Sequence, residues 1–139
     1  MLFRSISAIG AAVPAFAGTV TAPAPGVALT SPAISPTLKP EIDRSKALAV
    51  AWSGAGAGTL TVSATASVPG GGSSIVTCRF DASKGSGQMP SSLLAKLPAG
   101  AGGFGASIST TEQVKAGSYT VTLLGSSSVK NASGQVTLK

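Results

Sequence analysis

Between Lys46 and Phe80, apolar and polar positions alternate in three successive runs. Leu48, Val50 and Trp52 alternate with Ala47, Ala49 and Ala51. Leu60, Val62 and Ala64 alternate with threonines and serines, and Val76, Cys78 and Phe80 with Ile75, Thr77 and Arg79. Side chains two apart on a strand share a face, so each run predicts a strand with one apolar and one more polar side. The glycine-rich break Ser53–Gly58 leads into the alternating Thr59–Ser63 and predicts a hairpin connection. Pro69 with Gly70–Gly72 predicts a flexible one, so the three strands are expected to be neighbours. Trp52, Cys78 and Phe80 are expected to meet in the core.

Downstream, Asp81–Gly87 is a polar loop, and Gly100–Gly105 is expected to be a flexible connection. Pro90–Leu97 carries the one helical signal: a serine N-cap, leucines at 93, 94 and 97, and a stop at Pro98. So short a helix cannot stand alone, so Leu94 and Leu97 are expected to plug one end of the fold. Three more strands follow, carrying Phe104, Ala106 and Ile108, then Tyr119, Val121 and Leu123 after a turn at Lys115–Gly117, then Val136 and Leu138 after Asn131–Gly134. Some 7–8 short strands at such spacing predict an all-β fold, an immunoglobulin-like antiparallel β-sandwich with one short helix around residues 91–97.

The upstream third reads differently. Thr19–Pro40 contains Pro23, Pro25, Pro32, Pro36 and Pro40. Proline cannot donate to a ladder, so residues 18–40 are an edge strand with breaks, centred on Val27–Thr30, or an extended linker to a sandwich spanning 41–139. Residues 1–17 allow two readings. Arg4, the mildly apolar run Ile6–Phe16 and the small-residue ending Ala15-Phe16-Ala17 fit a signal peptide. Alternatively Val13–Val20 is an ordinary strand of a truncated domain.

A length of 139 residues allows one domain with a sizeable core. Apolar residues make up 43% and charged ones only 10%, a palette closer to an extracellular all-β domain than to a disordered chain. Net charge is +6, but the ten Lys and Arg are scattered and no aromatics interleave with them. That disfavours a nucleic-acid platform and favours solvated surface charge. The single cysteine excludes an internal disulfide, and with no histidine a cysteine-based zinc site within one chain is excluded too. Cys78, between Val76 and Phe80, is expected to be a buried, inert thiol.

Few residues are candidates for chemistry. Glu41 and Asp43 are the one close pair of acids, and paired carboxylates can exchange protons or hold a metal. Arg44 and Lys46 beside them point instead to local ion pairing. Ser45–Lys46 are adjacent, and Ser92 and Lys96 are four apart on the expected helix, a weak Ser–Lys geometry. Asn131-Ala132-Ser133 matches a glycosylation acceptor, but its exposed turn position needs no sugar to explain it. Trp52, Phe80, Phe104 and Tyr119 all fall in apolar rows, whereas carbohydrate binders usually expose aromatics. No catalytic, cofactor-binding or metal residue is assigned, and no cofactor is expected.

The runs Ile42–Thr59 (IDRSKALAVAWSGAGAGT) and Val76–Ala101 (VTCRFDASKGSGQMPSSLLAKLPAGA) carry a resemblance. Their Leu-x-Val-x-Trp, then Val-x-Cys-x-Phe, then Leu-x-x-Leu-Pro order resembles a β-sandwich pattern in uncharacterised surface proteins and lipoproteins of myxobacteria and related Gram-negative bacteria. Met89 stands where that pattern has a smaller aliphatic. The resemblance spans Val13 to about Leu123 and implies that Val13–Pro23 is internal to a longer chain. It also implies a secreted or cell-envelope location and lends no site residues. The expected function is a non-catalytic structural, spacer or assembly domain. It would pair with other envelope proteins or with itself through edge strands, without nucleic acid and without inserting into a membrane. The alternative is a loop-mediated binding module for a glycan or protein ligand.

Overall fold

A computed structural model describes residues 3–139. Eleven strands are present among the described residues: β1 (Phe3–Ala8), β2 (Phe16–Thr21), β3 (Ala28–Ser31), β4 (Glu41–Ile42), β5 (Leu48–Ser53), β6 (Thr59–Ser67), β7 (Ser73–Asp81), β8 (Ser86–Met89), β9 (Gly100–Ala116), β10 (Tyr119–Ser127) and β11 (Ser133–Leu138). A 3-10 turn at Ala82–Lys84 and one helical turn, α1 (Ser91–Leu94), complete the chain. The fold is an all-β sandwich.

One layer is a six-stranded sheet in the order β4-β11-β9-β6-β7, with β10 also on β9. Facing it is a three-stranded sheet, β3-β5-β8, and β1 and β2 form a separate hairpin. Strands pair antiparallel except for β4, which joins β11 in parallel, and Ala28 of β3 also makes an isolated parallel bridge to Lys130. β6 alternates without a break: Leu60, Val62, Ala64 and Ala66 are buried and the residues between them are not. The buried row packs with Leu29, Val50, Trp52, Met89, Phe104, Ile108, Val136 and Leu138 in one apolar cluster between the layers. Leu94 and Leu97 are buried in that cluster as expected, so the short helix serves as a plug.

The 17-residue β9 holds the molecule together. On one edge it pairs with β6 through Gly102–Ser109. On the other it pairs first with β11, through Gly100–Gly105, and then with β10, through Ile108–Ala116. Its second half and β10 therefore run on past the three-stranded sheet as an arm. The arm is covered by β2, where Val20, Ala116 and Leu123 are buried outside the main cluster.

Several expectations are corrected. β5 does not lie beside β6. It pairs with β3 and β8 in the opposite layer, so Ser53–Gly58 is an arch crossing the sandwich and not a hairpin. The physical reason is that both runs present an apolar row, and two such rows can meet face to face as readily as side by side. The glycine-rich Gly100–Gly105 is not a flexible connection but the start of the central strand, paired on both edges. Glu41–Ile42 is a short strand that no sequence signal indicated, and a turn at Arg44–Ser45 follows it. Pro90, with extended backbone, occupies the N-cap of α1, so the serine caps nothing. Of the two readings of residues 18–40, the structure has the broken edge strand: Val20, Val27, Leu29 and Ile34 are buried, and β3 forms an edge of the smaller sheet.

Candidate interaction surface

The interior holds no buried polar or charged residue among those described. Trp52 is 4% exposed; its indole Nε1 donates to the Ala82 carbonyl at 2.7 Å and its ring lies 5.7 Å from that of Phe80. The Phe80 ring in turn lies over Gly87 of β8, where a Cβ would stand 2.5 Å from it. Cys78, on β7, is only half-buried against the core cluster, a correction to the buried thiol expected from its neighbours. It sits on the last strand of the sheet, so no further strand closes over it. Partial burial still pushes its thiol pKa up.

The acids are engaged locally. Asp43 Oδ1 accepts from the Ser45 hydroxyl at 2.6 Å and from the Ser45 backbone N–H at 3.0 Å, and Lys46 Nζ lies 3.0 Å from Oδ2. The Ser45 hydroxyl, then the Lys46 ammonium and the Ser45 N–H, lower the Asp43 pKa from 3.8 to about 2. Asp81 is arranged in the same way around Ser83, and that hydroxyl lowers its pKa too. Glu41 pairs with Lys139 at 2.7 Å. Arg44 does not join an ion pair as expected. Its guanidinium donates to the carbonyls of Leu97, at 2.6 Å, and Lys139, at 3.2 Å, and so ties the plug to the final strand.

Ser45 is thus committed to Asp43, while Ser92 and Lys96 are both exposed, with Lys96 beyond the end of α1. Asn131 is exposed at a left-handed turn, φ 53°. No group of three or more His, Cys, Asp or Glu that could hold a metal occurs among the described residues. No helix there is long and apolar enough to cross a membrane.

The unusual surface is the arm. Of the nine large apolar side chains exposed among the described residues, six (Phe3, Ile6, Ile9, Val13, Tyr119 and Leu124) belong to the β1–β2 hairpin or to β10, and Leu38, Val68 and Ile75 lie elsewhere. Tyr119 was expected in an apolar row. It does share a face with Val121 and Leu123, but it lies at the tip of the arm, where nothing covers it. Every residue of β1 is exposed, including Arg4, Ile6 and Ala8, which pair with Val20, Gly18 and Phe16 and so share their inward face. β2 approaches closely because Gly18 leaves room: a Cβ there would stand 2.5 Å from Val114 and 2.9 Å from Leu123. The Thr110 hydroxyl donates to the Thr21 carbonyl and fixes the base of the hairpin.

β1 has no strand beneath it. Arg4, Ser5 and Ile6 form one side of an open cleft of about 510 Å³ whose other side is Leu124–Ser127 of β10, with Pro23 and Pro25 near its end. The free edges of β1 and β10 therefore lie on the same flank of the arm. The Ser127 hydroxyl, on this cleft, is buried without a hydrogen-bond partner. The signal of the arm in the sequence is two long uncharged stretches, from Ser5 to Leu38 and from Ala116 to Val129, although the arm also carries Arg4, Glu112 and Lys115. No family model, curated protein or solved structure matches the chain.

Proposed function

We propose that the chain is a non-catalytic structural unit of a secreted or cell-envelope protein, an immunoglobulin-like sandwich used as a spacer and for assembly through strand edges. The observation that carries this reading is the distribution of apolar side chains. Trp52, Phe80 and Phe104 turn into the sandwich, whereas six of the nine exposed large apolar residues gather on one projecting arm, where β1 and β10 each have an unpaired edge. An exposed, uncharged strand edge such as that of β10 templates pairing with other chains, so the arm suits assembly better than it suits small-molecule chemistry. The resemblance of Ile42–Thr59 and Val76–Ala101 to envelope-protein domains supports the location.

A second reading, a loop-mediated binding module for a glycan or a protein, draws on Phe3 and Tyr119, both aromatic and both exposed. Thermal unfolding separates the two. A ligand bound at one hundred times its Kd stabilises by about 2.7 kcal/mol, a shift of several degrees for a chain of this size. The structural reading expects no shift with a panel of cell-wall glycans. A saturable shift that Tyr119→Ala abolishes would favour the binding module. Location is checked by protease treatment of intact cells: cleavage at the surface, or release into the medium, is expected. Retention in the cytosolic fraction would remove the envelope reading.

A further inference from the structure

We propose that the arm pairs with the arm of a second copy of this chain, β10 against β10 in antiparallel register about a two-fold axis at Leu123. The proposal rests on the assembly reading above and names its partner and its edge.

Three observations select this edge. First, the remaining strand edges carry devices that discourage pairing. β4 has two residues, follows Pro40 and begins with Glu41; β3 has four and is flanked by Pro25 and Pro32; β8 has four. β7 is long and exposes Ile75, but it carries Arg79 and ends at Asp81. β10 has nine residues with no charge and no proline, and one of its edges is unpaired. Short strands, charges and prolines are what proteins place on edges that must stay single.

Second, the edge fits itself. Only a two-fold at Leu123, the midpoint of Tyr119–Ser127, pairs all nine residues of β10 with a second β10. Val121 then faces Gly125 and Thr122 faces Leu124. Tyr119 of each copy lies alongside Ser127 of the other, so the exposed aromatic covers the buried hydroxyl that lacks a partner. Leu124, 63% exposed on the outer face, gains a neighbour.

Third, the β1 edge lies on the same flank, so the added strand enters the open cleft beneath β1 and both layers of the arm continue across the axis. Nine residues at about 3.4 Å give an edge roughly 30 Å long. With two layers about 10 Å apart and their side chains, the pair buries on the order of 1,200 Å² in total, the lower end of specific interfaces. A concentration-dependent dimer in the micromolar range is expected, not an obligate one.

The test is sedimentation equilibrium of the full chain. The weight-average mass is expected to rise with concentration from 13.4 kDa towards twice that value. Thr122→Lys with Leu124→Lys places like charges across the axis in this register and should weaken association at least ~10-fold. Thr122→Glu with Leu124→Glu should do the same, and mixing the two double variants should restore a heterodimer. Tyr119→Ala should weaken self-association too, while Thr77→Lys on the β7 edge should leave it unchanged. Circular dichroism and the Trp52 emission of each variant check that the sandwich is intact. A chain monomeric throughout overturns the proposal yet leaves the spacer reading standing. A dimer that ignores both double variants, or fails to re-form on mixing them, overturns the β10 register.

Discussion

The indole of Trp52 is fixed by a hydrogen bond at its edge and an aromatic neighbour on its face, both inside the sandwich. Trp52→Phe removes the donor and leaves the buried Ala82 carbonyl with only the long bond from the Gly85 N–H, at 3.5 Å. It should cost about 1–3 kcal/mol, read as a lower urea midpoint with an unchanged slope. Asp43 offers a prediction of a different kind. Its pKa near 2 lies below the ordinary 3.8, so its pairing favours the folded state above about pH 4 and that contribution fades as pH falls through 2. Because the carboxylate is exposed, the effect on stability is small and the titration itself is the better readout. Carboxyl NMR should find the midpoint near 2, and Ser45→Ala should move it up towards 3.8. At this scale the alternating apolar rows were legible, since each names its own inward side chains. The in-strand glycines were not. Gly18, Gly87 and Gly102 lie in strands because a neighbour occupies the space a Cβ would need, Val114, the Phe80 ring and the Thr65 carbonyl respectively. A sequence shows the glycine and not the atom above it.

Among the elements, β9 serves two structures with one strand, the sandwich through its first half and the arm through its second. The two halves should differ in stability. Leu60→Ala, in the buried row facing the smaller sheet, should cost about 2–5 kcal/mol. Deleting residues 1–8 removes a strand whose described residues are all exposed and should lower the melting temperature by no more than a few degrees. Hydrogen exchange checks the division: amides of β6 should exchange near the global unfolding rate and those of β1 much faster. The sequence located β5, β6 and β7 and misjudged their partners. Alternation specifies which face is apolar but not which sheet a strand joins, and the arch Ser53–Gly58 has the glycine content of a hairpin. The plug was legible because Leu94 and Leu97 sit between Pro90 and Pro98, which bound the segment on both sides.

For the molecule as a whole, the two-layer architecture followed from the number and spacing of apolar runs, whereas the arm did not. Its hairpin could be read equally as a leader segment, because an uncharged run of small and apolar residues suits both. Net charge is +6 but β10 carries none of it, so self-association through β10 should depend little on salt, unlike attraction to a polyanion. The central claim is a sandwich closed around a single tryptophan, with recognition displaced to an edge. Acrylamide quenching of Trp52 fluorescence tests that closure most directly, because 52 holds the one tryptophan in the chain. Blue-shifted emission, and quenching far weaker than in the urea-unfolded chain, are expected. Emission and quenching like those of the unfolded chain would contradict that closure.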